Sequence, residues 1–416
     1  MIARRLLVLT LVDLLALTPA CGGNHAGTDA SGGSDTGLGD GARDVATAAD
    51  ADPACANPGS VPALRLQLIA SGLAQPLIVV QPPGSSDLYV VEKPGRIVII
   101  RNGSVLATPF LDVTAEVNIP NAQAEGGLLG LAFAADYVTS GRFFVYLSLK
   151  AQVSPAKPTR VAVREYHRST NPDVASAAPV RDLIDAQQDG YNSLGGTIAF
   201  GPDAALWLAM GDAAGMPSDA PTLTSRRGKM LRIDVNNPAT PPAGNLGGAA
   251  DPYVWDYGFR NPYRFSFDRV THELYVADAG ETRFEEVDLE PPNTGHRDYG
   301  WDRMEGMHCA NGTTSCGAPG TLPIYERAHE PTYSVIIGGY VYRGSMACLR
   351  GRYIFAVFGV GKVLSFVWTG AAVTSETELT TMFGQDLTLL VGFGEDLAGE
   401  LYFVTLDGAV YKLIAA

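Results

Sequence analysis

From Leu64 to the C-terminus the chain alternates short apolar runs with tight polar turns. The clearest instance is Tyr257 to Leu289, where FSF and ELYVAD flank the polar turn DRVTH. Two period-two runs around a short turn predict two antiparallel strands. Similar aromatic-containing runs recur at Asp87–Val91, Phe143–Leu147, Ala205–Ala209, Glu273–Ala277, Tyr353–Phe355 and Glu400–Val404, each after a turn rich in Gly, Pro or Asp. Six recurrences with matched aromatics predict an all-β chain, a six-bladed β-propeller, in which radial repetition removes long open edges. A large sandwich or a pair of β domains is the competing architecture, but no linker after residue 64 divides the chain. The nearest thing to a helix is Val174 to Ala186, which Pro179 interrupts.

The N-terminus departs from this pattern. Arg4 and Arg5 precede an apolar stretch, Leu6 to Leu17, that is too short to span a bilayer and reads as an export signal. Leu17-Thr18-Pro19-Ala20-Cys21 resembles a bacterial lipoprotein signal, giving a signal peptide over 1–21 with Cys21 lipidated; ordinary signal-peptidase cleavage nearby is the alternative. Residues 22–54, rich in Gly, Ala and Ser with six Asp and one Arg, predict a disordered tether. The propeller domain is then 55–416, exported and lipid-anchored at the cell envelope, in the periplasm or at the cell surface.

Net charge is -14, and no Lys/Arg-rich run exists. Nucleic acid is excluded as a partner, and a membrane is reached only through the lipid anchor. With Cys21 set apart, Cys55, Cys309, Cys316 and Cys348 make an even set suited to an oxidising compartment. Cys309 with Cys316 is the local pair, which leaves Cys55 with Cys348; the alternative, a metal site, has only His308 beside it and no CxxC.

Candidate chemistry gathers at strand ends, where rigid β scaffolds carry their sites. Arg260-Asn261-Pro262 precedes the FSF strand, and Asp278-Ala279-Gly280-Glu281 follows ELYVAD. Matching loops elsewhere are Glu125-Gly126-Gly127, Tyr191-Asn192-Ser193, Asp212 and Asp298-Tyr299-Gly300-Trp301. A structural ion pair of Arg260 with a carboxylate is the plain reading of that hairpin.

These segments, together with SGLAQPLIVVQPPGSSDLYVVEKPGRI, EGGLLGLAF, GGTIAFGPDAALWLAMGD, GKMLRIDV, YGFRNPYRFSFD, YGWDRMEG, GGYVYRG and GFGEDLAGELYF, resemble the glucose/sorbosone dehydrogenase family from residue 64 to the end. That family contains soluble quinoprotein sugar dehydrogenases, with hedgehog-interacting-protein-like propellers as relatives. The resemblance implies pyrroloquinoline quinone (PQQ) and calcium at the propeller mouth and oxidation of an aldose-like sugar hydroxyl by hydride transfer to the quinone. By the same resemblance, Arg260 and Asn261 stand where PQQ binds, and Gly280 and Glu281 where backbone carbonyls hold calcium. Asp212 stands where a carboxylate orients the catalytic histidine.

The histidine itself is replaced by Ser193. Gly126 stands where the family has a basic residue, Lys362 falls about three places past a PQQ-binding lysine, and Thr388 to Leu390 contains no arginine. Since PQQ carries three carboxylates, losing these cations costs several kcal/mol of binding. Of the six histidines, His329 alone stands in a loop close to the mouth, and Glu92 and Asp87 are weaker candidate bases. Two expectations follow: a PQQ-dependent sugar dehydrogenase with a departed site, or a non-catalytic propeller that binds a carbohydrate or protein partner at its mouth.

Overall fold

The computed structural model describes residues 61–121, 124–150, 159–214, 217–310, 312–329 and 334–416. Cys21, Cys55, the signal segment and the tether lie outside the described residues.

Six antiparallel sheets stand around one axis. Blade one is β2 (Pro76–Val80), β3 (Leu88–Glu92), β4 (Arg96–Arg101) and β5 (Ser104–Val105), with β6 (Leu111–Asp112) also on β4. Blade two is β7 (Leu128–Phe133), β8 (Arg142–Leu149), β9 (Thr159–His167) and β10 (Arg181–Gln188). Blade three is β11 (Ile198–Phe200), β12 (Leu206–Met210), β13 (Lys229–Ile233) and β14 (Val254–Tyr257). Blade four is β15 (Pro262–Phe267), β16 (Leu274–Asp278), β17 (Phe284–Glu290) and β20 (Tyr325–Ala328), interrupted by the hairpin β18 (Met304–Glu305) and β19 (His308–Cys309). Blade five is β21 (Val335–Val341), β22 (Arg352–Phe358), β23 (Lys362–Trp368) and β24 (Val373–Glu378). Blade six is β25 (Leu390–Glu395), β26 (Leu401–Thr405) and β27 (Ala409–Ala415), completed by β1 (Leu64–Ala70).

The ring closes through two sets of contacts. Strands β2, β7, β11, β15, β21 and β25 lie innermost, and neighbouring blades meet along them, with β25 returning to β2. The N-terminal strand β1 pairs with β27, Leu64 opposite Ala415, so one blade is built from both ends of the described chain.

Each of the six recurrent runs is the second strand of its blade. That position is covered on both faces by adjacent sheets, which is why Phe143 to Leu147 in β8 are all buried and the alternation of polar residues is lost. Outermost strands meet solvent, and β24 is mostly exposed. Val174 to Ala186 is no helix: its second half forms β10. A bulge between Asp182 and Ile184 brings Leu183 and Ile184 inward together, and this broke the strand period in the sequence.

Cys309 and Cys316 are disulfide-bonded, with Cα atoms 5.4 Å apart. Cys348 is also disulfide-bonded; it lies in the 3₁₀ turn Ala347–Leu349 that precedes β22.

Candidate functional site

The mouth is assembled from the loops that lead into or out of the innermost strands. The β14–β15 link supplies Arg260 and Asn261, whose backbone N–H groups donate to Asp278 Oδ2 at 2.8 Å and Oδ1 at 2.5 Å. The end of β16 is thereby tied to the start of β15. Asn261 Oδ1 accepts the Gly195 N–H at 3.0 Å, while its Nδ2 faces Glu125 at 3.4 Å. Glu125 in turn accepts the Leu194 N–H at 3.2 Å, and its own N–H donates to Tyr191 O at 3.1 Å. Loops from blades two, three and four are thus linked through one amide and two carboxylates.

A second chain of bonds runs through Asp212. Its backbone N–H donates to Arg260 O at 2.8 Å, Oδ1 accepts the Ala214 N–H at 2.8 Å, and Oδ2 accepts the Trp301 indole N–H at 2.9 Å. The Ser193 hydroxyl also bonds the Asp212 carboxylate. Trp301 reaches this position because residues 298–301 run beside the end of β14, with Tyr299 N–H on Tyr257 O and Trp301 N–H on Gly258 O. Gly258 adopts φ +80°, and a Cβ there would lie 2.4 Å from Asp298 Oδ1, so only glycine permits this approach.

Arg260 is half-buried above this group. One guanidinium nitrogen donates to Ala279 O at 3.0 Å and Gly280 O at 2.7 Å, and the guanidinium lies 5.8 Å from the Trp301 ring centroid. The plain expectation of a carboxylate ion pair is thereby corrected: its side chain bonds carbonyls, and only its backbone meets Asp278. Glu281 is exposed, and its N–H donates to Glu305 Oε1 at 2.7 Å.

Burial pushes the Glu125 carboxyl above its ordinary range, against the Leu194 and Ser193 N–H groups and the charges of Arg260 and Lys93. Burial also raises Asp212, opposed by Arg260, and raises Asp278 to about 7. Lys93 is buried with Nζ on Ala124 O at 2.8 Å, and burial lowers its pKa.

The sequence-based site residues therefore divide. Arg260, Asn261, Asp212, Ser193 and Gly280 come together, while Ser193 is almost fully buried at φ +53°. His329 does not join them; its imidazole pairs with Glu285 Oε1 at 2.5 Å, beside the start of β21, where Ile336 N–H donates to Glu285 Oε2 at 2.8 Å. Glu92 accepts from Ala74 N–H at 2.6 Å and pairs with Arg96, and Asp87 pairs with Arg101. Trp301 and Glu125 were visible only as members of mouth loops. Nothing in the sequence marked them as the partners of Asp212 and Asn261.

The glucose/sorbosone dehydrogenase family model matches residues 73–412. The HIPL1 protein of Arabidopsis thaliana is 26% identical over 434 residues, covering 81% of this chain and 61% of that protein. Human Hedgehog-interacting protein is 25% identical, covering 84% of this chain and 52% of that protein. The chain thus spans about half to three fifths of the length of these curated relatives. Among solved structures, the soluble aldose sugar dehydrogenase of Escherichia coli, in its apo form, superposes with TM-score 0.71 at 19% identity, over 85% of this chain and 100% of that one. The PQQ-bound aldose sugar dehydrogenase of Streptomyces coelicolor gives 0.67 at 20% identity, over 86% and 99%. Matched across most of its length, this chain belongs to the glucose/sorbosone dehydrogenase family.

Proposed function

We propose that this chain is an exported carbohydrate-binding propeller that keeps the family scaffold but does not oxidise sugars through PQQ. The observation that carries the reading is the placement of Arg260. Its guanidinium already occupies the Gly280 carbonyl, one of the two carbonyls the family resemblance gives to calcium. A second cation there would face a fixed positive charge.

The remaining mouth groups fit PQQ no better. A Cβ at Gly126 would lie 2.6 Å from Asn118 O, so the position of the missing basic residue has no room for a side chain unless backbone moves. Glu125, Asp212 and Asp278 bring three carboxyls to the mouth, while the cations acting on Glu125 are Arg260 and Lys93, the latter held by a carbonyl. Three further carboxylates from PQQ would add repulsion. Ser193 has no group that accepts a proton near neutral pH, and its hydroxyl is buried against Asp212.

What remains accessible suits a polyhydroxylated ligand. Arg260 and Glu125 are half-buried, and Tyr191, whose backbone carbonyl accepts the Glu125 N–H, is 40% exposed in the same loop cluster. An exposed aromatic residue in a cluster with a donor and an acceptor supplies the apolar and polar contacts a sugar site uses. A protein partner is the second reading, favoured by the Hedgehog-interacting protein among the relatives.

The test is a thermal-shift screen of the exported chain against neutral oligosaccharides, paired with dye-linked oxidation of an aldose panel after incubation with PQQ and calcium. Stabilisation by a saccharide that Tyr191→Ala abolishes, with oxidation at background, is the expected result. PQQ-dependent turnover that Asp212→Ala removes would overturn it.

A further inference from the structure

The axis of the propeller holds a cation that the mouth does not use. Arg264, on the innermost strand β15, is 5% exposed and makes no ion pair among the described residues. A β-bulge between Pro262 and Arg264 interrupts the register of β15 on β16, and bulges re-aim side chains. The Arg264 guanidinium lies 4.4 Å from the Tyr263 ring centroid and reaches past β11 to β7. Its N–H donors are poorly used. Nη1 donates to Leu129 O and Thr197 Oγ1, both at 3.2 Å, and Nη2 meets the Tyr263 hydroxyl only at 3.4 Å. Nε is buried and has no partner.

A second unused donor stands on the adjoining innermost strand. The Tyr340 hydroxyl of β21 makes no hydrogen bond among the described residues. Burial raises its pKa to about 12, with Glu395 adding to the rise and Arg264 opposing it, so the hydroxyl keeps its proton at neutral pH. Tyr263 and Tyr340 are half-buried although neighbouring blades cover their strands, so the surface they keep opens on the axis.

A buried lysine or carboxyl can escape its charge by losing or gaining a proton, but arginine stays charged in proteins. A buried charge without a partner is costly. We propose that the central channel binds one small monovalent anion of the halide class beside Arg264, with the Tyr340 hydroxyl as a second donor. One guanidinium matches one negative charge, and tyrosine rings and aliphatic walls penalise a strongly hydrated divalent ion such as sulfate. The site is independent of whether the mouth binds a sugar, a protein or PQQ.

The experiment uses the purified chain, exchanged into sodium gluconate and titrated with sodium chloride at constant ionic strength, so that general screening does not change. Melting temperature and the line width of the chloride nuclear resonance are followed together. A saturable rise of several degrees in Tm is expected, since the ion binds only the folded chain. Chloride line broadening that bromide competes away is expected alongside it. Arg264→Met should abolish both effects. Tyr340→Phe, which removes only the hydroxyl, should weaken chloride binding several-fold and serves as the test if Arg264→Met does not fold. Absence of any saturable chloride effect up to half-molar concentration would overturn the proposal. Chloride binding of unchanged affinity in Arg264→Met, or in Tyr340→Phe where only that variant folds, would overturn it as well, by placing the ion elsewhere.

Discussion

Lys229 offers the most quantitative test of how the scaffold beside the mouth is held. It opens β13 and is completely buried. Its Nζ donates to Asp219 O at 2.8 Å, Ala220 O at 2.7 Å and Arg227 O at 2.6 Å. These bonds fold the 217–228 segment onto Phe259, whose N–H donates to Gly228 O next to Arg260. Burial pulls the ammonium from its ordinary 10.5 down to about 7, against the charges of Asp219, Asp298 and Asp251. That displacement corresponds to about 5 kcal/mol of differential stabilisation. Lys229→Met keeps most of the stem but strands three carbonyls, at about 1–3 kcal/mol each, while it relieves the buried charge. A net loss of about 2–4 kcal/mol is expected near pH 6.5.

The sign with pH follows from proton counts. Between about 7 and 10.5 the unfolded chain holds a proton on Lys229 that the folded chain lacks, so wild-type stability rises with pH through that window. The variant has no such term. The stability gap between the two, measured by urea titration, should therefore widen by about 2–3 kcal/mol from pH 6.5 to pH 9, other titrating groups cancelling. A gap that stays constant or narrows would refute the reasoning and show that three carbonyls keep the ammonium charged.

Two further predictions concern the frame. Arg343 binds Asp268 through Nε–Oδ1 at 2.8 Å and Nη2–Oδ2 at 2.5 Å, joining blades four and five. Burial alone would raise Asp268, but the bonds from Arg343 and Val270 hold it below its ordinary 3.8. Arg343→Ala should cost about 3–4 kcal/mol at neutral pH, because it leaves a buried carboxylate behind. That cost should shrink as pH falls through the depressed pKa and Asp268 protonates in both variants, which chemical denaturation at pH 7 and pH 3 would check. Reducing Cys309–Cys316, which closes a loop of separation 7, should lower stability by about 2.5 kcal/mol. Exchange protection lost at Met304 to Cys309, with the rest of the propeller retained, is the expected signature in hydrogen exchange.

The blades were legible because a propeller buries its second strands on both sides, and uninterrupted runs such as Phe143 to Leu147 stand out in any sequence. Outer strands were less so. At β10 a bulge and a half-exposed face broke the period-two signal. The mouth was found as a set of loops, because Arg260-Asn261 and Asp278 to Glu281 are adjacent to strands whose pattern was plain. Its wiring was not, since the bond of Trp301 to Asp212 spans 89 residues. The carboxylates of β17 were hidden for a different reason. Glu286, Asp288 and Glu290 alternate along β17 as a solvent-facing stripe would, yet all three are buried. Sequence alone does not distinguish a polar face turned to water from one turned to a neighbouring sheet.

The central claim is that the mouth has lost the chemistry that holds PQQ. It is tested most directly by calorimetric titration of the purified chain with PQQ in the presence of calcium, followed in parallel by the quinone's absorbance. The account predicts no saturable binding up to about 100 μM, a loss of several kcal/mol relative to a micromolar-or-better site. Stoichiometric binding at micromolar concentration or tighter, weakened by Arg260→Ala, would contradict it and return the chain to the sugar dehydrogenases.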